Sequence, residues 1–194
     1  PLYTLLGHLV RLVPLGELTF RMNLLSAFFG AATVITVYTI ARSLTRSTTA
    51  SVFGALALVL APPFWLYSLV AEVFTLHVFL VALILFVALR FADRPSRALL
   101  LWGAFLFGLG MANHHTTLFL APVLVVLLWT RRKRIPKFGL HLGEAAGVAI
   151  LGLAPYLAIP LFARGNPVIN WDSAANVRNL ARLFFRSDYG TTTL

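Results

Sequence analysis

Long stretches without a charged residue alternate with short basic segments along this chain. Four such stretches cover residues 23–41, 47–71, 98–130 and 145–163, and a fifth, 71–89, contains only Glu72 and His77 as ionisable groups. All are rich in Leu, Ala, Val and Phe, and a helix needs about 20 apolar residues to cross a bilayer. The pattern therefore predicts several membrane-spanning helices.

The stretch 98–130 is too long for one span and too short for two of full length. We interpret it as two short or tilted helices, with Asn113, His114 and His115 at the turn between them. The sequence then predicts an all-α polytopic transmembrane protein that forms one domain over residues 1–194. We expect about six spans within 23–162, at residues 23–43, 47–66, 71–91, 98–112, 116–130 and 143–162.

Basic residues concentrate in three short loops that fall on one side of this six-span topology. Cytoplasmic loops carry an excess of Lys and Arg, so we assign that side to the cytoplasm. Both chain ends, the loop 62–70 and the turn at residues 113–115 then face outward. The three loops contain Arg42 and Arg46; Arg90, Arg94 and Arg97; and Arg131, Arg132, Lys133, Arg134 and Lys137.

Composition supports this class of protein. Hydrophobic residues make up 59% of the chain and charged residues 11%, whereas soluble domains carry about 25% charged residues. A soluble enzyme and a disordered chain are therefore excluded. The absence of cysteine excludes disulfides and thiolate metal sites. The net charge is +10, and most of the basic residues lie in the three short, separate loops. We therefore expect no nucleic acid partner.

Two amphipathic segments lie outside the spans. In residues 1–16, leucines recur at helical spacing, and we expect an interfacial helix on the outer surface. In residues 163–194, we expect an outer loop with a second amphipathic helix that Asp172 or Ser173 caps. Its arginines at every fourth position either bind a phosphate or attract anionic lipid headgroups. These arginines are Arg178, Arg182 and Arg186.

Ionisable and polar groups at membrane depth are candidates for function because each is costly there. Glu72 begins the third span, where its carboxylate either binds substrate or is stabilised by the helix N-terminus. His77 lies about one and a half turns further into the same span. Asn113 and His114 form either a substrate contact or an ordinary polar turn. Adjacent histidines point in different directions on a helix, so we expect no metal site and no cofactor.

Several short motifs, in a fixed order, resemble a family of polytopic membrane proteins that is common in bacteria. The family includes a eukaryotic O-mannosyltransferase that acts on plexin-type extracellular domains. The resemblance covers nearly the whole chain. The motifs are Pro1-Leu2-Tyr3-Thr4-Leu5-Leu6-Gly7, Arg21-Met22-Asn23-Leu24-Leu25-Ser26-Ala27, Ala71-Glu72-Val73-Phe74-Thr75-Leu76-His77, Gly108-Leu109-Gly110-Met111-Ala112-Asn113-His114, Leu153-Ala154-Pro155-Tyr156-Leu157, Asn166-Pro167, Asn170-Trp171 and Asp188-Tyr189-Gly190.

The family looks like part of the GT-C glycosyltransferase superfamily, whose members use polyprenyl-phosphate sugars on the outer or lumenal face. The resemblance implies a GT-C-like fold, a hexose or mannose donor of this kind, and a protein or glycan acceptor. It also implies an integral protein of the bacterial inner membrane with a periplasmic active face. On this basis we predict that substrate contacts come from Glu72, His77, Asn113, His114, Trp171, Arg182 and Arg186.

One departure from the family concerns the catalytic base. The family places an acidic motif in the outer loop that precedes the segment matching residues 1–7, and this chain begins at Pro1. We therefore expect an internal piece of a longer protein, with the base upstream. Two other functions remain open, a transporter or flippase of a lipid-linked substrate and a non-catalytic membrane subunit.

Overall fold

The computed structural model describes residues 1–165, 167 and 173–185, and all regular structure within them is helical. Ten α-helices and three short 3₁₀ helices follow one another in these ranges. The α-helices are α1 (Leu2–Val10), α2 (Leu18–Thr45), α3 (Thr48–Val59), α4 (Pro62–Leu69), α5 (Val73–Asp93), α6 (Arg97–Asn113), α7 (Ala121–Arg131), α8 (Phe138–Gly152), α9 (Ala158–Ala163) and α10 (Val177–Phe185). The 3₁₀ helices are His115–Leu120, Arg132–Arg134 and Ala154–Leu157. The all-α prediction is confirmed.

Two helices in the described part of the chain, α2 and α5, are long and apolar enough to cross a membrane. Two bent pairs, α3 with α4 and α8 with α9, raise the number to four if each pair is one span. Length and composition therefore support two to four spans, and the predicted six are not confirmed. The difference arises because α6 and α7 are short, with 17 and 11 residues.

The prediction of a loop at residues 62–70 is wrong, because Pro62–Leu69 forms α4. Proline at the first helical position is compatible with a helix start, since its missing N–H needs no partner there. Pro62 occupies that position, and Ala61 before it has extended backbone angles. The chain therefore turns by 64° between α3 and α4 and continues as a helix.

The predicted break at residues 113–115 is present. Helix α6 ends at Asn113, and His114 has extended backbone angles (φ −151°, ψ 128°). The His114 side chain accepts a hydrogen bond from the backbone N–H of Thr116 and so caps the following 3₁₀ helix. This break places the polar residues of the turn beside the start of α5.

The cap of the last helix differs from the prediction. Asp172 lies outside the described residues, and the backbone N–H of Asn179 donates to Oδ1 of Asn176 at 2.9 Å. Asn176 precedes Val177, the first residue of α10. Asparagine is as good an N-cap as aspartate or serine, so the helix starts later than the sequence suggested.

Helices α6 and α8 make the most extensive contact in the bundle, and their backbones touch. A Cβ atom added at Gly152 would lie 2.5 Å from the carbonyl oxygen of Phe105 and 2.8 Å from the nitrogen of Leu109. A Cβ atom at Gly108 would meet the backbone of Ala149 and Gly152. Small residues allow this approach in membrane helices.

Two clusters of buried side chains mark the two ends of the bundle. Phe91, Leu100, Ile135 and Ala145 pack together where the basic loops lie. At the opposite end, Tyr3 of α1 packs with Leu76 and Leu80 of α5. Helix α1 is thus joined to the bundle through Tyr3, while Leu9 in its predicted apolar stripe remains 59% exposed.

Gly152→Ala should destabilise the protein because the added methyl group meets backbone atoms that cannot move aside. We expect a loss of about 1–3 kcal/mol or more, measured by unfolding in detergent. Gly147→Ala is the control on the same helix, since nothing lies within 4 Å of its added Cβ. That change should be neutral or stabilise by about 0.5–1 kcal/mol. Equal effects of the two variants would contradict the close contact.

Candidate functional site

Polar side chains converge at the end of the bundle opposite the basic loops. Helix α5 begins there, α6 ends there, and the 3₁₀ helix His115–Leu120 follows directly. Of the residues predicted to contact substrate, the structure brings together Glu72, His77, Asn113 and His114. Their roles stay predictions, and their geometry defines the candidate site.

Asn113 connects the end of α6 to the start of α5. The side chain is buried, with 8% of the residue exposed, and Nδ2 donates to the carbonyl oxygen of Val73 at 3.2 Å. This contact fixes the orientation of the amide, since only its nitrogen can donate. Oδ1 is then buried without a hydrogen-bond partner among the described residues.

Thr116 connects His77 and His114. Its Oγ1 lies 2.9 Å from Nε2 of His77 and 2.7 Å from Nδ1 of His114. The two imidazole rings are 5.0 Å apart between centroids. One threonine hydroxyl therefore holds two histidines from different helical segments in a fixed arrangement.

The hydrogen bonds assign the tautomers of both histidines. Nδ1 of His114 accepts the backbone N–H of Thr116 at 3.4 Å and is therefore unprotonated. It then also accepts the single hydroxyl proton of Thr116, so Nε2 of His77 must donate to Oγ1. In neutral His77 this leaves Nδ1 as an acceptor, and it is buried without a partner in the described chain. This atom can accept a hydrogen bond from a hydroxyl group.

His115 points away from this pair, as expected for adjacent residues. Its Nε2 lies 2.7 Å from the hydroxyl oxygen of Tyr156. The ring of Phe184 in α10 meets the rings of His115 and Tyr156 with centroid distances of 5.5 and 5.1 Å. These contacts hold α10 against the turn that carries the candidate site.

Glu72 is held at the N-terminus of α5 through its backbone. Its N–H donates to Oγ of Ser26 at 3.4 Å, and this oxygen also lies 2.8 Å from the hydroxyl of Tyr3. Burial raises the pKa of the Tyr3 phenol, and the nearby Glu72 charge raises it further. The Tyr3 hydroxyl therefore stays protonated. Glu72 itself is exposed.

The arginine row is only partly within the described residues. Arg178 and Arg182 lie on α10, where both are exposed. Since Phe184 of the same helix contacts His115, these two arginines belong to an element attached to the site. Trp171 and Arg186, which were also predicted to contact substrate, lie outside the described residues.

No metal centre is present in the described ranges, where no three His, Asp or Glu side chains come close enough to hold an ion.

The sequence did not identify Thr116 and Tyr156 as members of the site, although both lie within the family motifs or next to them. The signal for Thr116 is its place in a polar run, His114 to Thr117, inside an otherwise apolar stretch. Tyr156 is the polar residue of the Leu153–Leu157 motif.

Fold and site define an all-helical membrane protein with imidazole, amide and hydroxyl groups gathered at one end of its bundle. A family model described as the N-terminal domain of protein O-mannosyl-transferase TMEM260 matches residues 1–136, and the chain belongs to this family. This match confirms the resemblance to O-mannosyltransferases that the sequence motifs indicated.

Two relatives match over 100% of this chain. Protein O-mannosyl-transferase TMEM260 of Mus musculus is 30% identical over 204 residues, and the match covers 29% of that protein. The protein of the same name from Dictyostelium discoideum is 23% identical over 212 residues, with 26% of its length covered. The chain thus spans less than a third of the length of either relative. No solved structure matches the chain.

Thr116→Val should uncouple the two histidines, since valine keeps the shape and removes the shared hydroxyl. We expect the ¹⁵N resonances of His77 and His114 to shift and to show mixed tautomers, measured by NMR on histidine-labelled protein in detergent. Stability should fall by about 1 kcal/mol, as for one exposed hydrogen-bonded group. Thr116→Ser keeps the hydroxyl and should preserve the spectrum of the original protein. Unchanged tautomers in the valine variant would refute this assignment.

Proposed function

We propose that this chain is part of a membrane glycosyltransferase that transfers a hexose, mannose by the name of its relatives, from a polyprenyl-phosphate donor to a protein or glycan acceptor. The observation that carries the proposal is the cluster of hydroxyl-binding groups at one end of an apolar bundle, in a chain of the O-mannosyltransferase family. Because the curated relatives are more than three times longer, the reaction is proposed for the whole protein and substrate contact for this chain.

A sugar or a hydroxyl-bearing acceptor needs hydrogen-bond acceptors that protein groups do not already occupy. Two such atoms are buried, Nδ1 of His77 and Oδ1 of Asn113, and the exposed carboxylate of Glu72 is next to Val73, whose backbone binds Asn113. Polar groups that are buried without a partner each cost about 1–3 kcal/mol, so a hydroxyl that satisfies them binds favourably. We propose that these groups line the sugar or acceptor subsite.

The departing lipid phosphate needs a cationic partner, because negative charge develops on it as the sugar leaves. Arg178 and Arg182 are exposed one turn apart on α10, and Phe184 attaches this helix to His115. Arginine binds phosphate through two parallel donors. We propose that Arg182, together with Arg186 four residues later in the sequence, contacts the donor phosphate, and that Trp171 also contacts substrate.

We propose a GT-C-like arrangement with six membrane crossings. The added crossings are α6 and the unit formed by the 3₁₀ helix His115–Leu120 with α7. At 1.5 Å per α-helical residue and about 2 Å per 3₁₀ residue, both reach roughly 25–29 Å, close to the thickness of the hydrocarbon core. The basic loops then face the cytoplasm and the site faces outward. In a bacterial cell this is the periplasmic side of the inner membrane.

The bent pair α3 and α4 favours a transporter or flippase as the second candidate, since transporters use broken helices to bind substrate at membrane depth. The break at Leu60 and Ala61, however, has no polar side chain. The polar groups gather instead at the end of the bundle, where α5 begins and α6 ends. This position supports the transferase proposal over the transporter.

Glu72→Gln should reduce sugar transfer in membranes that contain the whole protein. A charged hydrogen bond to substrate contributes about 1.5–3 kcal/mol, so we expect a loss of roughly 10- to 100-fold. The measurement uses radiolabelled polyprenyl-phosphate hexoses at equal protein level. Glu17→Gln is the matched control, because Glu17 is also an exposed carboxylate at a helix N-cap. Equal activity of the two variants would remove Glu72 from the site.

The absence of native cysteine allows the six crossings to be tested by single-cysteine labelling. Thr48→Cys, Arg94→Cys and Lys133→Cys should react with a membrane-impermeant maleimide only from the cytoplasmic side. Glu17→Cys should react only from the outside. All four positions are exposed. Labelling of any of the first three from the same side as Glu17→Cys would contradict the six-span topology.

A further inference from the structure

An apolar groove lies between α7 and α6, at a distance along the bundle from the polar site. Its volume is about 300 Å³, and α5 and α8 form its other walls. Its lining consists of apolar side chains and glycine throughout. Representative lining residues are Val87, Phe91, Gly103, Ala104, Leu128 and Ala146.

The groove ends at the basic loops. Ile135 is buried against Phe91 and Leu100 and closes the bundle below the groove. Arg131 lies three residues after the lining residue Leu128, on the same face of α7 one turn further on. Nε of Arg131 is buried and has no hydrogen-bond partner among the described residues. Arg131 is thus a cation one turn beyond the lining residue Leu128, and its Nε donates to no described protein group.

Four charged or titratable groups at this end, Arg97, His141, Glu144 and Arg132, are engaged in contacts. Arg97 forms an ion pair with Glu144 at 2.7 Å, and His141 binds the same carboxylate oxygen at 2.8 Å. The guanidinium of Arg132 lies 3.7 Å above the ring of Trp129. Glu144 is thus occupied by two partners and does not pair with Arg131.

We propose that this groove binds an anionic phospholipid, with one acyl chain between α6 and α7 and the phosphate on Arg131. Charge complementarity supports this occupant, since an apolar chain joined to an anion matches an apolar groove that ends at a cation. Basic pockets between membrane helices bind anionic headgroups in this way. The site is independent of the proposed sugar transfer.

The test is native mass spectrometry of the purified chain in micelles with equal amounts of phosphatidylglycerol and phosphatidylcholine of identical acyl chains. We expect phosphatidylglycerol to be retained about tenfold more than phosphatidylcholine. One charged hydrogen bond to the protein provides a difference of this size. Arg131→Gln should bring the ratio close to one. Arg134→Gln is the control, because Arg134 is exposed and belongs to the same loop.

A second pair of variants tests the groove. Ala146→Phe places a ring where Ala146 lines the groove and should lower phosphatidylglycerol retention about tenfold, whereas Gly147→Phe adds the same ring where nothing lies within 4 Å. Three results would overturn the proposal: equal retention of both lipids, equal effects of Arg131→Gln and Arg134→Gln, or unchanged retention in Ala146→Phe. Displacement of the lipid by soluble glycerol phosphate would assign a free phosphate site instead and would also overturn it.

Discussion

The backbones of α6 and α8 meet at Gly108 and Gly152 with no side chain between them. Helices in lipid gain little hydrophobic energy from association, so close packing of small residues provides much of the attraction. This contact also sets the relative position of both helix ends. Helix α6 leads into the turn with His115, and α8 leads into the short 3₁₀ helix with Tyr156. The hydrogen bond between these two residues therefore depends on two glycines that take no part in the chemistry.

The members of the polar site satisfy part of one another's hydrogen-bonding capacity. Thr116 supplies one proton and accepts another, which accounts for one nitrogen on each of His77 and His114. Asn113 uses its amide nitrogen on the backbone of α5. What remains is a set of acceptors, and acceptors without donors select hydroxyl or N–H groups over anions. The exposed arginines of α10, Arg178 and Arg182, form a separate part attached through Phe184.

The sequence was sufficient to predict the helical class, the break at His114 and the opposite directions of His114 and His115, since charge-free runs and helical geometry determine them. It could not predict that residues 62–69 are helical, because two prolines indicate a turn and a helix start equally well. Nor could it select Thr116, whose role depends on a contact with His77, 39 residues away in the chain. Spacing reveals faces of one helix, whereas contacts between helices need the fold.

The two ends of the bundle differ in polarity, and this difference determines from which end a polar ligand can approach. At the basic end, Ile135 packs on Phe91, Leu100 and Ala145, so a layer of apolar side chains separates the loops from the interior. At the other end, Glu72 is exposed, His77 follows five residues later in α5, and Asn113 binds the backbone of Val73 directly after Glu72. A polar ligand that came from the basic end would have to cross the apolar layer and lose its hydration on the way. The end at which α5 begins is therefore the side from which a polar ligand can approach these groups without crossing an apolar layer.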